Sequence, residues 1–232
     1  MATYSYIFAR GGSKGIPGKN LKLINNKPLL AHSINMALNI KEITRCFVST
    51  DSDEISSTAI KYGAEVIKRP GYLSEDNSSE WLAWKHAVNW TNKKYGHFDK
   101  FISIPTTAPL RIKSDVENCL KTFDSDSDIV ITITDSHRNP FFNMVKSKNG
   151  YLRKVIDNDQ NFVRRQDAPQ IYDMTTIAYV TRPEFIINNE SLWDGRIKGV
   201  KIPKERSIDI DDNYDLDMAR YLYSKYRQNY DY

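Results

Sequence analysis

YSYIFARGGSKGIPGKN, residues 4–20, decides how the rest of the chain is read. An apolar run at 4–9 predicts a strand, and it feeds directly into ARGGSKGIPGKN, residues 9–20. Gly11, Gly12, Gly15 and Gly18 place four glycines within eight positions, and Arg10, Lys14 and Lys19 bring three cations to the same loop. Without a Cβ, such a backbone approaches a ligand closely and exposes its N–H groups, while the cations pair with phosphate oxygens. The loop therefore predicts a polyphosphate site. It is not a Walker A loop: Ser13 stands where the first Gly of G-x-x-x-x-G-K-[ST] belongs, and Asn20 where the metal-binding hydroxyl belongs. Nor does it fit G-x-G-x-x-G. A surface turn with solvated charges is the plain alternative, and the density of Gly and Lys/Arg argues against it.

Outward from this loop, short apolar segments alternate with amphipathic ones. Strands are predicted at 45–50, 64–68, 101–104 and 129–134, and helices at 28–40, 54–62, 79–91 and 113–123. Leu30, Ile34, Ala37 and Leu38 share one face of the first helix, and Ser78 is the expected N-cap of the third. Strand–helix alternation over the first 135 or so residues implies an α/β fold with a mostly parallel central sheet covered on both faces. The rhythm then changes. Segments 141–146 and 151–156, joined at Asn149-Gly150, predict a β-hairpin. A polar stretch follows, then strands at 176–180 and 198–202 and a closing helix at 213–227. Residues 1–232 read as one domain carrying a small antiparallel insertion at about 137–175, whose polar arm suits contact with a partner subunit.

Composition narrows the function. The 232 residues are 40% hydrophobic, 12% aromatic and 27% charged, which is ordinary for a globular domain and excludes disorder, collagen and coiled coil. Thirty-three Lys+Arg against 29 Asp+Glu leave +4, without the clustered basic excess of a nucleic-acid binder. No apolar run approaches the roughly 18–20 residues that span a bilayer, and the start lacks the charged lead-in of a signal peptide. Cys46 and Cys119 are too few for a disulfide framework and read as buried thiols. His32, His86, His97 and His137 have no metal-ligand spacing, and Ser13 and Ser49 lack a nucleophile's His/Asp context. Tyr221, Tyr223, Tyr226 and Tyr230 at the end read as a packing face or subunit contact.

Two further groups carry chemistry. In Asp209-Ile210-Asp211-Asp212 a strand would put Asp209 and Asp211 on one face about 7 Å apart, both able to reach one hard cation such as Mg2+. An acidic helix start accounts for the same residues, with Asp212 as cap and Asp215 and Asp217 as solvated charges. In Arg164-Arg165-Gln166 the guanidinium forks suit a carboxylate or a phosphate; a solvated arm is the alternative.

The loop resembles the signature loop of the CMP-sialic acid synthetases (N-acylneuraminate cytidylyltransferases). The likeness continues through VSTDSDEI (48–55), KRP (68–70), APLR (108–111), RNPFFNMV (138–145), RRQDAPQIYDM (164–174) and SIDIDDNYDLDMA (207–219). It implies a three-layer nucleotidyltransferase domain of Rossmann-like type with a dimerisation insertion, a cytoplasmic homodimer, and Mg2+-dependent transfer of CMP from CTP to a nine-carbon sugar acid. On it, Arg10, Gly11, Gly12, Ser13, Lys14, Lys19, Asn20, Arg69 and Ser78 contact the nucleotide. Arg164, Arg165, Gln166 and Tyr172 contact the sugar, Asp209 and Asp211 hold the metal, and Lys19, Arg165 and Asp211 act in catalysis. Pro105 stands roughly where sialic acid enzymes carry a Gln, and Glu80 replaces a small hydroxyl residue. With RNPFFNMV and RRQDAPQIYDM, these departures move the resemblance toward the CMP-legionaminic acid synthetases. A related nucleotidyltransferase with another sugar or nucleotide, and a non-catalytic sugar-nucleotide-binding subunit, are the alternatives.

Overall fold

The computed structural model describes residues 2–156 and 162–226. Strand β1 (Thr3–Phe8) is followed by the glycine loop and a small hairpin, β2 (Leu23–Ile24) and β3 (Lys27–Pro28). Asn25 and Asn26 turn that hairpin at φ 48 and 60, a left-handed conformation that asparagine tolerates better than most residues. The alternation continues through α1 (Leu29–Leu38), β4 (Ile43–Thr50), α2 (Asp53–Lys61), β5 (Glu65–Lys68), α3 (Glu80–Tyr95), β6 (Lys100–Ser103), α4 (Lys113–Thr122) and β7 (Ile129–Asp135). Then come the hairpin β8 (Val145–Lys148) and β9 (Tyr151–Lys154), strand β10 (Tyr172–Thr181), α5 (Pro183–Asn188), β11 (Ile197–Lys201) and α6 (Asn213–Lys225).

Seven strands form the central sheet in the order β11-β7-β10-β6-β1-β4-β5. Within it β1 runs parallel to β4 and β6, β4 to β5, and β11 to β7, while β10 alone is antiparallel to its neighbours β6 and β7. The mostly parallel sheet is as expected. Three local expectations are corrected. Strand β10 starts at Tyr172 rather than 176, so residues 172–175 pair with β7 and belong to the central sheet instead of the insertion. Thr175 and Thr132 explain the extension: the Thr175 hydroxyl donates to Thr132 Oγ1 at 2.8 Å, and Thr132 donates to the Thr175 carbonyl at 3.0 Å. Residues 141–143 form a turn and not a strand, because Asn139 accepts the N–H of Phe141 on its side chain and those of Phe142, Asn143 and Met144 on its carbonyl. Ser79, not Ser78, caps α3, its hydroxyl accepting the Trp81 N–H at 3.2 Å. Arg227, expected in the last helix, and Tyr230 lie outside the described residues.

Alternation along β1 sends Tyr4 and Tyr6 to one face and Ile7 to the other, both buried. On the aliphatic face Leu30, Ile34, Ile55, Val116 and Cys119 from α1, α2 and α4 pack on Ile7, Val48 and Ile102. Trp81, Trp84 and Ile186 from α3 and α5 pack on the aromatic face, where Tyr6 stacks on Phe101 at 4.4 Å between centroids. Each fully buried apolar side chain contributes about 1.5–3 kcal/mol. Cys46 and Cys119 are free and buried, and burial pushes both thiols up to about 12. A third cluster joins Ile16 of the glycine loop and Ile210 to Leu216, Ala219 and Tyr223 of α6. It seats the acidic segment against the loop.

That segment has a second anchor. Asp115, 3% exposed in the first turn of α4, accepts Arg206 Nε at 3.0 Å and Nη2 at 2.8 Å, and also the Ile112 N–H at 3.0 Å. Asp115→Ala removes a nearly buried bidentate partner and a helix-capping acceptor together, so it should lower unfolding stability by about 3 kcal/mol. Denaturant unfolding checks this; a change within experimental error would contradict the anchor.

Candidate active site

The glycine loop leaves the carboxyl end of β1 and closes on residues 209–211. A Cβ on Gly15 would sit 2.1 Å from the carbonyl oxygen of Asp211, so the two backbones meet where only glycine fits. Lys19, with a side chain only 16% exposed, donates from Nζ to the Ile210 carbonyl at 2.7 Å and lies 3.4 Å from Asp211 Oδ1. Ile210 is fully buried, and its N–H bonds to the Thr107 carbonyl at 2.9 Å. The segment is not the strand expected from its alternation. It is irregular chain held by these bonds and the buried Ile210, with Asp209 and Asp211 flanking that residue.

The Asp211 side chain is exposed, whereas Asp209 Oδ1 is buried with no hydrogen-bond partner among the described residues. An orphaned carboxylate oxygen, two residues from a second carboxylate, fits a hard divalent cation such as Mg2+. Among the described residues no group of three or more His, Cys, Asp or Glu could hold a metal, so phosphate and water must complete the shell. Asp212 caps α6 as expected. Asp215, read as a solvated charge, is instead the other half of that capping box, accepting the N–H of Asp211 and of Asp212. Asp217 is exposed and pairs with Arg220.

Arg10 Nη1 and Lys14 Nζ both meet Asp76, at 3.0 and 2.8 Å, and their hydrogen bonds and charge hold its carboxyl below the usual range. Asp76 thus occupies the two cations that an incoming phosphate would need. Such solvent-exposed pairs are weak, so they exchange readily for phosphate. Nothing in the spacing singled Asp76 out. Asn20 is buried and its amide is committed within the protein: Nδ2 donates to the Arg10 carbonyl at 2.9 Å, and Oδ1 accepts from Thr106 at 2.6 Å. Its side chain braces the loop. Gly11 donates its N–H to Asp51 Oδ1 at 2.9 Å; Gly12 and Ser13 line the loop's outer side with Lys14.

The cleft extends from the cations toward Arg69, Ser78 and Glu80, its two parts sharing Phe8, Arg10, Thr106 and Thr107. Arg69 is buried, bonds Ser49 through Nε and Nη2, and lies 5.5 Å over the Phe8 ring. Burial lowers its pKa to about 10, which leaves it charged at neutral pH. Glu80 is open to the cleft water yet surrounded by protein, and this desolvation raises its carboxyl.

A second cavity holds Arg165 and Gln166 with Asp135, Ser136, Arg138 and Asn139. Arg165 donates to the Ser136 carbonyl. Arg164 forks onto Asp167 through two 3.0 Å bonds within the arm. Tyr172 is exposed at the start of β10. This cavity shares no lining residue with the cleft, so within one chain Arg165 is not brought to Lys19 and Asp211.

Residues 6–226 match the cytidylyltransferase family. The chain belongs to it. This cytidylyltransferase is 34% identical over 220 residues to "Post-translational flagellin modification protein B" of Campylobacter coli, covering 93% of this chain and 92% of that protein. It is 35% identical over 222 residues to the "CMP-N,N'-diacetyllegionaminic acid synthase" of Campylobacter jejuni, covering 94% and 93%. Its fold matches that of a CMP:2-keto-3-deoxy-manno-octonic acid synthetase complexed with CTP, at TM-score 0.72 and 18% identity over 97% of this chain and 99% of that one. It is an enzyme of the nucleotidyltransferase type. No helix among the described residues is long and apolar enough to cross a membrane.

Because Gly15 touches the Asp211 carbonyl, Gly15→Ala must push the loop and the acidic segment apart, and CTP affinity should fall by tenfold or more, about 1.4 kcal/mol. Calorimetric titration with CTP checks it; wild-type affinity would contradict the close seating.

Proposed function

We propose that this cytidylyltransferase activates a nine-carbon α-keto sugar acid of legionaminic type with CTP, in a Mg2+-dependent reaction giving the CMP-sugar and pyrophosphate. The observation that carries this reading is the seating of Lys19 and the glycine loop on Ile210 and Asp211, in the segment that carries Asp209. A segment with two acidic residues, seated on a cation-lined loop, suits a nucleoside triphosphate with its metal. The name of the Campylobacter jejuni relative supports the acceptor class, as does Pro105 lining the cleft, since a prolyl ring offers no amide to a substrate.

The chemistry asks for positioning and charge neutralisation. The anomeric hydroxyl oxygen forms a bond to the α-phosphorus, the bond from that phosphorus to the bridging oxygen of the β-phosphate breaks, and the hydroxyl proton passes to solvent water. Arg10 and Lys14 take the β- and γ-phosphates once Asp76 is displaced. Lys19, fixed by the Ile210 carbonyl, neutralises the departing pyrophosphate. Mg2+ held by Asp209 and Asp211 would polarise the α-phosphate and favour loss of the hydroxyl proton.

Arg165 completes the site from a second protomer, where its guanidinium pairs with the acceptor carboxylate. The separation of its cavity from the cleft supports that reading. So does the apolar surface around the arm, where Val145, Tyr151, Leu152 and Met174 are all exposed and suit a second copy of the chain. Two buried thiols and a CTP-dependent reaction favour the cytoplasm.

Pyrophosphate release with CTP and Mg2+ tests the reading against a panel that includes N-acetylneuraminate and diacetyllegionaminate. Release is expected with the legionaminic acid and none without acid. Asp211→Ala should abolish it in a folded chain, and Lys19→Ala should raise the CTP requirement about tenfold or more, as fits a lost charge-assisted contact. Silence across the panel, or turnover by Asp211→Ala at ordinary Mg2+, would overturn it.

A further inference from the structure

Arg111, just ahead of α4, is fully buried and lies outside the residues that line the cleft. An enclosed guanidinium is costly unless its donors are satisfied, because the charge has left water. Its fork is directed at the back of the cleft wall. Nη1 donates to the Ser33 hydroxyl of α1 at 2.8 Å, and Nη2 donates to the Pro105 carbonyl and, at 3.3 Å, to that of Thr176. The Ser33 hydroxyl donates to the same Pro105 carbonyl at 2.9 Å. Pro105 is therefore gripped twice from behind. Thr176 follows residues 172–175, beyond which the pairing of β10 with β7 shifts register, so Arg111 also holds the sheet at that break.

Pro105 opens the segment that joins the two halves of the site. Thr106 donates to Asn20 Oδ1 of the glycine loop at 2.6 Å, and the Thr107 carbonyl accepts the Ile210 N–H at 2.9 Å. The Thr107 hydroxyl also reaches that of Thr176 at 3.3 Å. Residues 105–107 thus tie the cation-lined loop to the acidic segment. We propose that Arg111 is a positioning residue for nucleotidyl transfer. Through Pro105 it fixes residues 106 and 107, and with them the spacing between the loop that takes the triphosphate and the segment that carries Asp209 and Asp211. The inference rests on the cytidylyl-transfer reading above. A guanidinium suits the task because its donors keep one rigid planar geometry, whereas an ammonium is a compact point charge on a flexible stem. Chemistry that depends on alignment is sensitive to small shifts, and a misplacement of about 1 Å set off far from the reacting atoms costs about a hundredfold in rate.

Arg111→Lys tests this by keeping the charge and giving up the fork. Ser33→Ala is the second variant: it removes one of the two grips on Pro105 and changes nothing that lines the cleft. CTP binding is titrated on the wild-type protein and both variants, with and without Mg2+. Thermal melting, kcat and the Mg2+ concentration giving half-maximal rate are measured in parallel. Arg111→Lys is expected to bind CTP about tenfold or more weakly and to need more Mg2+. Ser33→Ala is expected to shift both quantities the same way by about threefold, as fits one hydrogen bond. A merely structural Arg111 would lower the melting temperature and the amount of active protein while CTP affinity and Mg2+ requirement stayed at wild-type values, and that result would overturn the inference. If Arg111→Lys does not fold, Ser33→Ala decides the matter, and wild-type affinity with wild-type Mg2+ requirement in that variant would overturn it. Failure of the wild-type protein to bind CTP would instead remove the reading on which the inference stands.

Discussion

The seating of the glycine loop on residues 209–211 sets the geometry of everything nearby. Gly15 lies so close to the Asp211 carbonyl that no Cβ can intervene, and Lys19 is drawn onto the Ile210 carbonyl one residue earlier. These contacts span almost the whole chain, so loop entropy alone would oppose them. Burial supplies the drive: Ile16, Ile210, Leu216 and Tyr223 close one apolar cluster over the junction, and the Asp115–Arg206 fork fixes the approach of the acidic segment. The core of α6 and the reactive end of the sheet are thus one structural unit.

Charge balance follows from that geometry. Arg10, Lys14 and Lys19 would repel one another in so small a loop, and each has an acid against it, Asp76 for the first two and Asp211 for the third. The Asp76 pairs are water-exposed and weak, which suits contacts that open for a ligand. Lys19 is different, being mostly buried and held by a backbone carbonyl. The loop so combines one fixed cation with two exchangeable ones.

Much of this was legible in the chain. Strand–helix alternation gives a parallel sheet because apolar runs near five residues long are buried on both faces, and glycine beside lysine marks the loop that the fold seats on residues 210 and 211 through Gly15 and Lys19. What was not legible depended on tertiary partners. Residues 172–175 lack a strand-like apolar run and join the sheet through pairing with β7 and the Thr132–Thr175 hydroxyls. Asp209 and Asp211 alternate as in a strand, yet among the described residues no strand pairs with them, so the segment is irregular and is held through Ile210 and the Asp211 N–H. Asp76 and Glu80 sit in polar sequence with no periodic signal; their weight comes from what the fold brings opposite them, Arg10 and Lys14 in one case and Arg69 with Trp84 in the other.

The central claim is that one loop and one acidic segment, brought together by the fold, hold a nucleoside triphosphate with its metal. A crystal structure of the protein with CTP and Mn2+ tests it most directly, because the anomalous signal of manganese locates the ion independently of the protein density. The account predicts manganese between Asp209 and Asp211, with the triphosphate along Arg10, Lys14 and Lys19 and Asp76 released from both cations. Manganese away from those two carboxylates, or the triphosphate seated in the cavity around Arg165 of the same chain, would contradict it.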